Sequence, residues 1–149
     1  MNEAWDGPEG IARTESGNTF SDTVINHATN PRNAGSIPDA DAYAFLLGPC
    51  ADKMEVWLKV RNGRVEDASF WTDGCGATIA CGSMTTELVK GKTLGEVLAI
   101  TAEAIATNLG GLPEDHVHCA GLASSTLKKA VAEYLNTRRE PWKRSYGRH

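Results

Sequence analysis

Three short fragments carry the residue types that do metal and sulfur chemistry: Cys50-Ala51-Asp52, Gly74-Cys75-Gly76 and His118-Cys119. They hold three of the four cysteines in 149 residues, with a carboxylate and an imidazole beside them. Thiolates select zinc, copper(I) or iron–sulfur centres. An aspartate and a histidine among them point away from a closed, all-sulfur structural site. The two-residue spacing of Cys50 and Asp52 puts both side chains on one side of an extended segment. Cys75 falls where a strand pattern gives way to a helical one. Its flanking glycines let the backbone approach a ligand closely, and a helix N-terminus favours a thiolate there. His118-Cys119 reads as the end of a loop before the last helix. A lone Cys-x-Asp says little, and a buried structural role is the common fate of a single thiol. The site exists only if the three loops meet.

Other residues of the same chemical types read differently. Cys81, six positions after Cys75 and on the apolar stripe of a helix, reads as core. His27 and His149 have no partners in sequence and read as satisfied or solvated. His116, two residues before His118, either faces the same site or lies on the surface, and the surface reading is preferred.

The elements that must position these fragments follow from periodicity. Ser21 caps a helix carrying Val24, Ile25 and Ala28, with Asp22 in its first turn and Asn30-Pro31 at its end. Tyr43, Phe45 and Leu47 alternate as a strand. Met54, Val56, Leu58 and Val60 alternate with polar or large partners as a second strand. Asn62-Gly63 is the favoured pair for a two-residue hairpin turn, since both positions need positive φ. Arg64 to Thr72 returns. From Ala77 the period becomes helical, with Ala77, Cys81, Met84 and Leu88 on one stripe up to Lys90-Gly91. Shorter helices are expected at 94–100 and 102–109, and a last one from Gly121 to Thr137 with Leu122, Ala123, Leu127, Ala130, Tyr134 and Leu135 toward the core. Strands first and helices after predict an α+β domain: a three-stranded antiparallel sheet with helices packed on one face. The chain divides into a flexible leader (1–20), one domain (21–137) and a basic tail (138–149).

Composition adds bounds. With 41% hydrophobic and 23% charged residues, a folded domain with its own core is expected. No apolar run approaches the roughly 20 residues of a membrane-spanning helix, and no signal peptide is legible. A reducing, cytoplasmic setting fits, where thiols serve metals or catalysis. The net charge of −4 divides into +4 over residues 137–149 and −8 elsewhere. A solvated tail is the preferred reading; no stacking motif or basic helix supports nucleic-acid binding.

The fragments also carry a resemblance. Ile25-Asn26-His27 through Asn30-Pro31-Arg32-Asn33, Cys50-Ala51-Asp52, Gly74-Cys75-Gly76-Ala77-Thr78-Ile79-Ala80, Val89-Lys90-Gly91-Lys92, and Leu112-Pro113 with His118-Cys119 resemble, in order, the iron–sulfur cluster scaffold family of IscU and the N-terminal domain of NifU. The match spans about residues 21–136. It implies that Cys50, Cys75 and Cys119 are cluster ligands, with Asp52 and His118 completing the set. Neighbouring His118 and Cys119 would have to splay apart to bind one ion together, so an exchange of ligand between them is the easier picture. It implies no enzymatic turnover. A transient 2Fe–2S cluster is built from iron and the sulfur of a cysteine desulfurase, then handed to apo iron–sulfur acceptor proteins. Cys119 or Cys75 is the candidate persulfide acceptor.

Three departures qualify the resemblance. Cys50-Ala51-Asp52 replaces the usual Cys-Gly-Asp, which speaks against a positive φ at position 51. Cys81 stands where the family commonly has serine. Leu112-Pro113-Glu114-Asp115-His116-Val117 replaces a Leu-Pro-Pro loop bearing a lysine, to which a dedicated Hsp70-type chaperone docks in the IscU branch. The acidic residues speak against that docking, and His116 stands in the lysine's place. The rival expectation is a zinc-bound sulfur carrier resembling SufU, but that branch has an insertion and lacks the histidine present here as His118. Zinc also suits the isolated scaffold site.

Overall fold

The computed structural model describes residues 20–49 and 51–139. The leader up to residue 19, Cys50 and the tail beyond residue 139 lie outside the described residues, and so do the expectations placed on them. Phe20, counted above with the leader, is 4% exposed and belongs to the core.

The element order is α1 (Asp22–Thr29), β1 (Ala42–Leu47), β2 (Lys53–Arg61), β3 (Arg64–Thr72), α2 (Gly76–Val89), α3 (Leu94–Leu98), α4 (Ala102–Asn108), a 3₁₀ turn at Glu114–His116, and α5 (Val117–Arg139). The strands form one antiparallel sheet in the order β1-β2-β3. Asn62 and Gly63 turn the hairpin with φ of 55° and 74°, the conformation that pair favours. Helices α2 and α5 lie on the sheet, and α1 and α4 pack against them. The predicted α+β architecture is the observed one.

Alternation along the strands separates two faces. Met54, Val56, Leu58, Val65, Ala68 and Phe70 are buried beneath the helices. On β1 the inward positions are the small Ala42 and Ala44, which leave room for α5. The alternating set Tyr43, Phe45 and Leu47 therefore faces outward, and Phe45 and Leu47 are exposed. The alternation marks the strand correctly, but its larger apolar members sit on the open face. Lys129 of α5 donates to the Phe45 carbonyl at 3.1 Å and stands over its ring.

Helix α2 is central and buried on most of its circumference, including Ala77, Thr78, Cys81, Ser83, Thr85 and Thr86. A Cβ at Gly82 would come within 2.4 Å of the Phe70 ring, so glycine is what lets α2 approach β3. Cys81 is fully buried, as its stripe position predicts. In α5, Leu127, Ala130 and Val131 are buried, whereas Leu135 is exposed. Leu135 is thus not a core residue; it lies near the end of α5, where the Thr137 side is buried instead.

Helix α1 is anchored at its cap. Ser21 Oγ accepts the Val24 N–H at 3.0 Å and donates to the Leu109 carbonyl in the loop after α4. His27 Nδ1 and Ser83 Oγ lie 2.7 Å apart, joining α1 to α2. The site therefore forms where the β1–β2 connection, the start of α2 and the start of α5 come together at one end of the sheet.

Candidate functional site

Cys75 is the N-cap residue of α2, with extended backbone (φ −73°, ψ 179°) and an exposed side chain. Asp52 closes the β1–β2 connection. That connection is not extended: Ala51 has φ +66°, and its N–H donates to the Gly48 carbonyl at 3.0 Å. The positive φ survives the replacement of glycine by alanine, contrary to the expectation from sequence. The same-side argument for Cys50 and Asp52 loses its premise, because a left-handed residue separates them. Cys50 itself lies outside the described residues.

His118 and Cys119 are in the first turn of α5, not in a loop ahead of it. The preceding 3₁₀ turn runs directly into the helix, with the His116 N–H donating to the Pro113 carbonyl at 2.9 Å. Cys119 is 1% exposed. His118 Nε2 lies 3.8 Å from Cys119 Sγ, so the neighbours can face one ion without splaying apart.

Thr78 is the hub that sequence reasoning missed. Its hydroxyl is 3.3 Å from Asp52 Oδ2, 3.4 Å from Cys119 Sγ and 3.7 Å from Cys75 Sγ. It sits three residues after Cys75 on a helix, a spacing that places it on the same face and could have flagged it. The aspartate is tightly enclosed. A Cβ at Gly48 would meet Asp52 Oδ1 at 2.6 Å, and one at Gly74 would meet Asp52 Oδ2 at 2.9 Å. Asp52 Oδ1 is buried and has no hydrogen-bond partner among the described residues.

His116 is the second residue drawn in against expectation. It is half-buried, its ring meets Phe20 edge-on at 5.1 Å, and it stacks with His118 at 6.4 Å. Its Nδ1 is also buried without a partner among the described residues. One ligand atom each from Cys75, His116 and Cys119 lie within 4.8 Å of one another. Cys75 and His116 border a cleft of ≈ 530 Å³ lined also by Asp52, Asp73, Gly74 and His118, among others.

The two sulfurs hold one proton between them. The Cys119 thiol donates to Cys75 and, with the N–H groups of Thr78 and Ala77 and the Thr78 hydroxyl, brings the Cys75 thiol down to about 4 against the opposing effect of burial. Cys119 is pushed up, first by holding that proton for Cys75 and second by burial. At neutral pH the pair is an exposed thiolate beside a buried thiol. Burial pushes Cys81 up as well. Thiols, imidazoles and a carboxylate oxygen in need of a partner form a donor set suited to soft or borderline metal ions.

A sheet backed by helices, with thiol, carboxylate and imidazole converging at one end, defines an α+β domain with a candidate metal site. The chain belongs to the NifU-like N-terminal domain family, whose model matches residues 19–141. It is 47% identical over 117 residues to an iron–sulfur cluster assembly scaffold protein IscU of Archaeoglobus fulgidus, covering 78% of this chain and 76% of that one. It is 43% identical over 124 residues to the IscU scaffold protein of Escherichia coli K12, covering 80% and 96%. In fold it is similar to a candidate iron–sulfur cluster assembly scaffold of the SUF system from Fervidobacterium islandicum, with TM-score 0.61 and 20% identity over 75% of this chain and 96% of that one.

Among the described residues, no helix is long and apolar enough to cross a membrane.

Proposed function

We propose that this chain is a scaffold on which a 2Fe–2S cluster is assembled and from which it is passed to apo-proteins, without enzymatic turnover of its own. The observation that carries the reading is the convergence of Cys75, Cys119 and Asp52 on Thr78 at an open cleft. The family supports it, since the relatives above are named scaffold proteins. Cys50, Asp52, Cys75, His118 and Cys119 are the proposed ligands. Three thiolates suit the cluster's iron, and the oxygen of Asp52 is the poorly matched ligand from which iron departs most easily.

Sulfur arrives from a cysteine desulfurase as a persulfide. A scaffold thiolate attacks the terminal sulfur, the donor's S–S bond breaks, and the donor leaves as a thiolate. Cys75 is exposed and ionised, while Cys119 is buried and holds the shared proton. Cys75 is therefore the first acceptor in this conformation, and Cys119 follows once the proton moves.

Anaerobic reconstitution with iron, cysteine and a desulfurase tests the reading. A 2Fe–2S absorption spectrum that decays as an apo-ferredoxin matures is the expected result. Tight zinc, stimulated desulfurase turnover and no cluster would replace the scaffold with a zinc-bound, SufU-like sulfur carrier.

A further inference from the structure

His116 is not needed by the ligand set proposed above, yet it reaches the same sulfurs. An imidazole nitrogen of His116, Cys75 Sγ and Cys119 Sγ are mutually within 4.8 Å, a set that includes neither His118 nor Asp52. Tetrahedral coordination with metal–sulfur bonds of about 2.3 Å and metal–nitrogen bonds of about 2.0 Å puts neighbouring ligand atoms roughly 3.5–3.8 Å apart. From 4.8 Å at most, the three atoms thus need to close by no more than about 1.3 Å.

The imidazole is also held ready. Phe20 packs edge-on against it, His118 stacks at an interplanar angle of 21°, and the 3₁₀ turn fixes its backbone. Its Nδ1 is buried with no hydrogen-bond partner among the described residues. A buried nitrogen without a partner calls for an explanation, and a nitrogen of this ring stands beside two thiols. The cleft opens the position to solvent, and the carboxylates of Asp73 and Asp115 line its wall. These negative charges suit the entry of a cation.

We propose that His116, Cys75 and Cys119 form a mononuclear site for a single divalent cation of borderline softness, Fe²⁺ or Zn²⁺, with one coordination position left open. The site assembles from the 3₁₀ turn, the start of α2 and the start of α5, and does not require Cys50 or Asp52. It holds an incoming ion before the β1–β2 connection contributes its ligands. The proposal rests on the reading of Cys75 and Cys119 as metal-binding thiolates.

The test is a Zn²⁺ titration of the apo-protein under reducing conditions, without sulfide or desulfurase. In protein labelled with ¹⁵N-histidine, one ring nitrogen of His116 should shift to the metal-bound range. A shift confined to His118 overturns the proposal. His116→Gln should weaken Zn²⁺ binding by about 100-fold, the upper end of what losing even an outer ligand partner costs; unchanged affinity in a variant with native circular dichroism overturns it. His116→Cys should restore binding and add a thiolate-to-cobalt absorption band with Co²⁺, which a merely structural role would not produce. Failure of cluster reconstitution would sink the scaffold reading and leave this site standing. Loss of the His116 effect would do the reverse.

Discussion

A hydroxyl has one proton, and the Thr78 hydroxyl lies within reach of a carboxylate and two sulfurs. With that proton on Asp52, Cys119 loses its donor; with it on Cys119, the enclosed carboxylate does. Thr78→Val removes the donor from both and should lower unfolding free energy at neutral pH by about 1–3 kcal/mol in denaturant titrations, the usual penalty for a buried acceptor left unmet. Cys75 makes a sharper prediction. Its thiolate fraction should rise through an inflection at about 4, so alkylation should already be at its plateau at pH 6. Cys119→Ala removes the largest cause and should move the inflection upward; an unmoved inflection would assign the effect to the helix N-terminus alone. Asp52→Ala takes away the oxygen ligand and should lengthen the lifetime of a reconstituted cluster. An unchanged or shorter decay time would end the idea that Asp52 keeps the cluster loose.

At the scale of elements, the β1–β2 connection stores strain in one residue. Ala51 holds φ +66°, where a side chain costs roughly 1–2 kcal/mol, partly offset by the greater flexibility of glycine in the unfolded chain. Ala51→Gly should raise stability by up to about 1 kcal/mol, read as a shift in denaturant midpoint. The same connection shows where sequence is mute: alanine is the wrong residue for that conformation, and only the surrounding chain enforces it. By contrast, Met54 to Val60 and Asn62-Gly63 announced the hairpin, because alternation and turn chemistry are local. Helix α5 begins at Val117, four residues before the Gly121 that the sequence pattern suggests. Gly121 looked like a boundary, while Val117 to Ala120 carry no capping signal; the 3₁₀ turn before them supplies the start instead. That error hid the true setting of His118 and Cys119, and with it the inward placement of His116. The convergence on Thr78 was illegible for another reason. It depends on how α2 packs between β3 and α5, a matter of tertiary contact.

For the whole molecule, the core runs from Phe20 and Val24 through both sheet and helices, and of the proposed ligands among the described residues only Cys119 is part of it. The fold should therefore survive loss of metal. Chelation should leave far-ultraviolet circular dichroism unchanged and lower the unfolding free energy only by the binding linkage, about 2.7 kcal/mol at ligand a hundredfold above its dissociation constant. Collapse to an unfolded chain would instead make this a structural metal module.

The attachment of the first helix has a practical bearing. Phe20 touches the His116 ring, and Ser21 is tied to the loop after α4. A purification tag or fluorophore fused just ahead of Phe20 would attach next to a residue that touches that imidazole. Helix α5 starts at the site and runs for 23 residues, which carries its far end about 34 Å away at 1.5 Å per residue. Labels and surface tethers belong at that end.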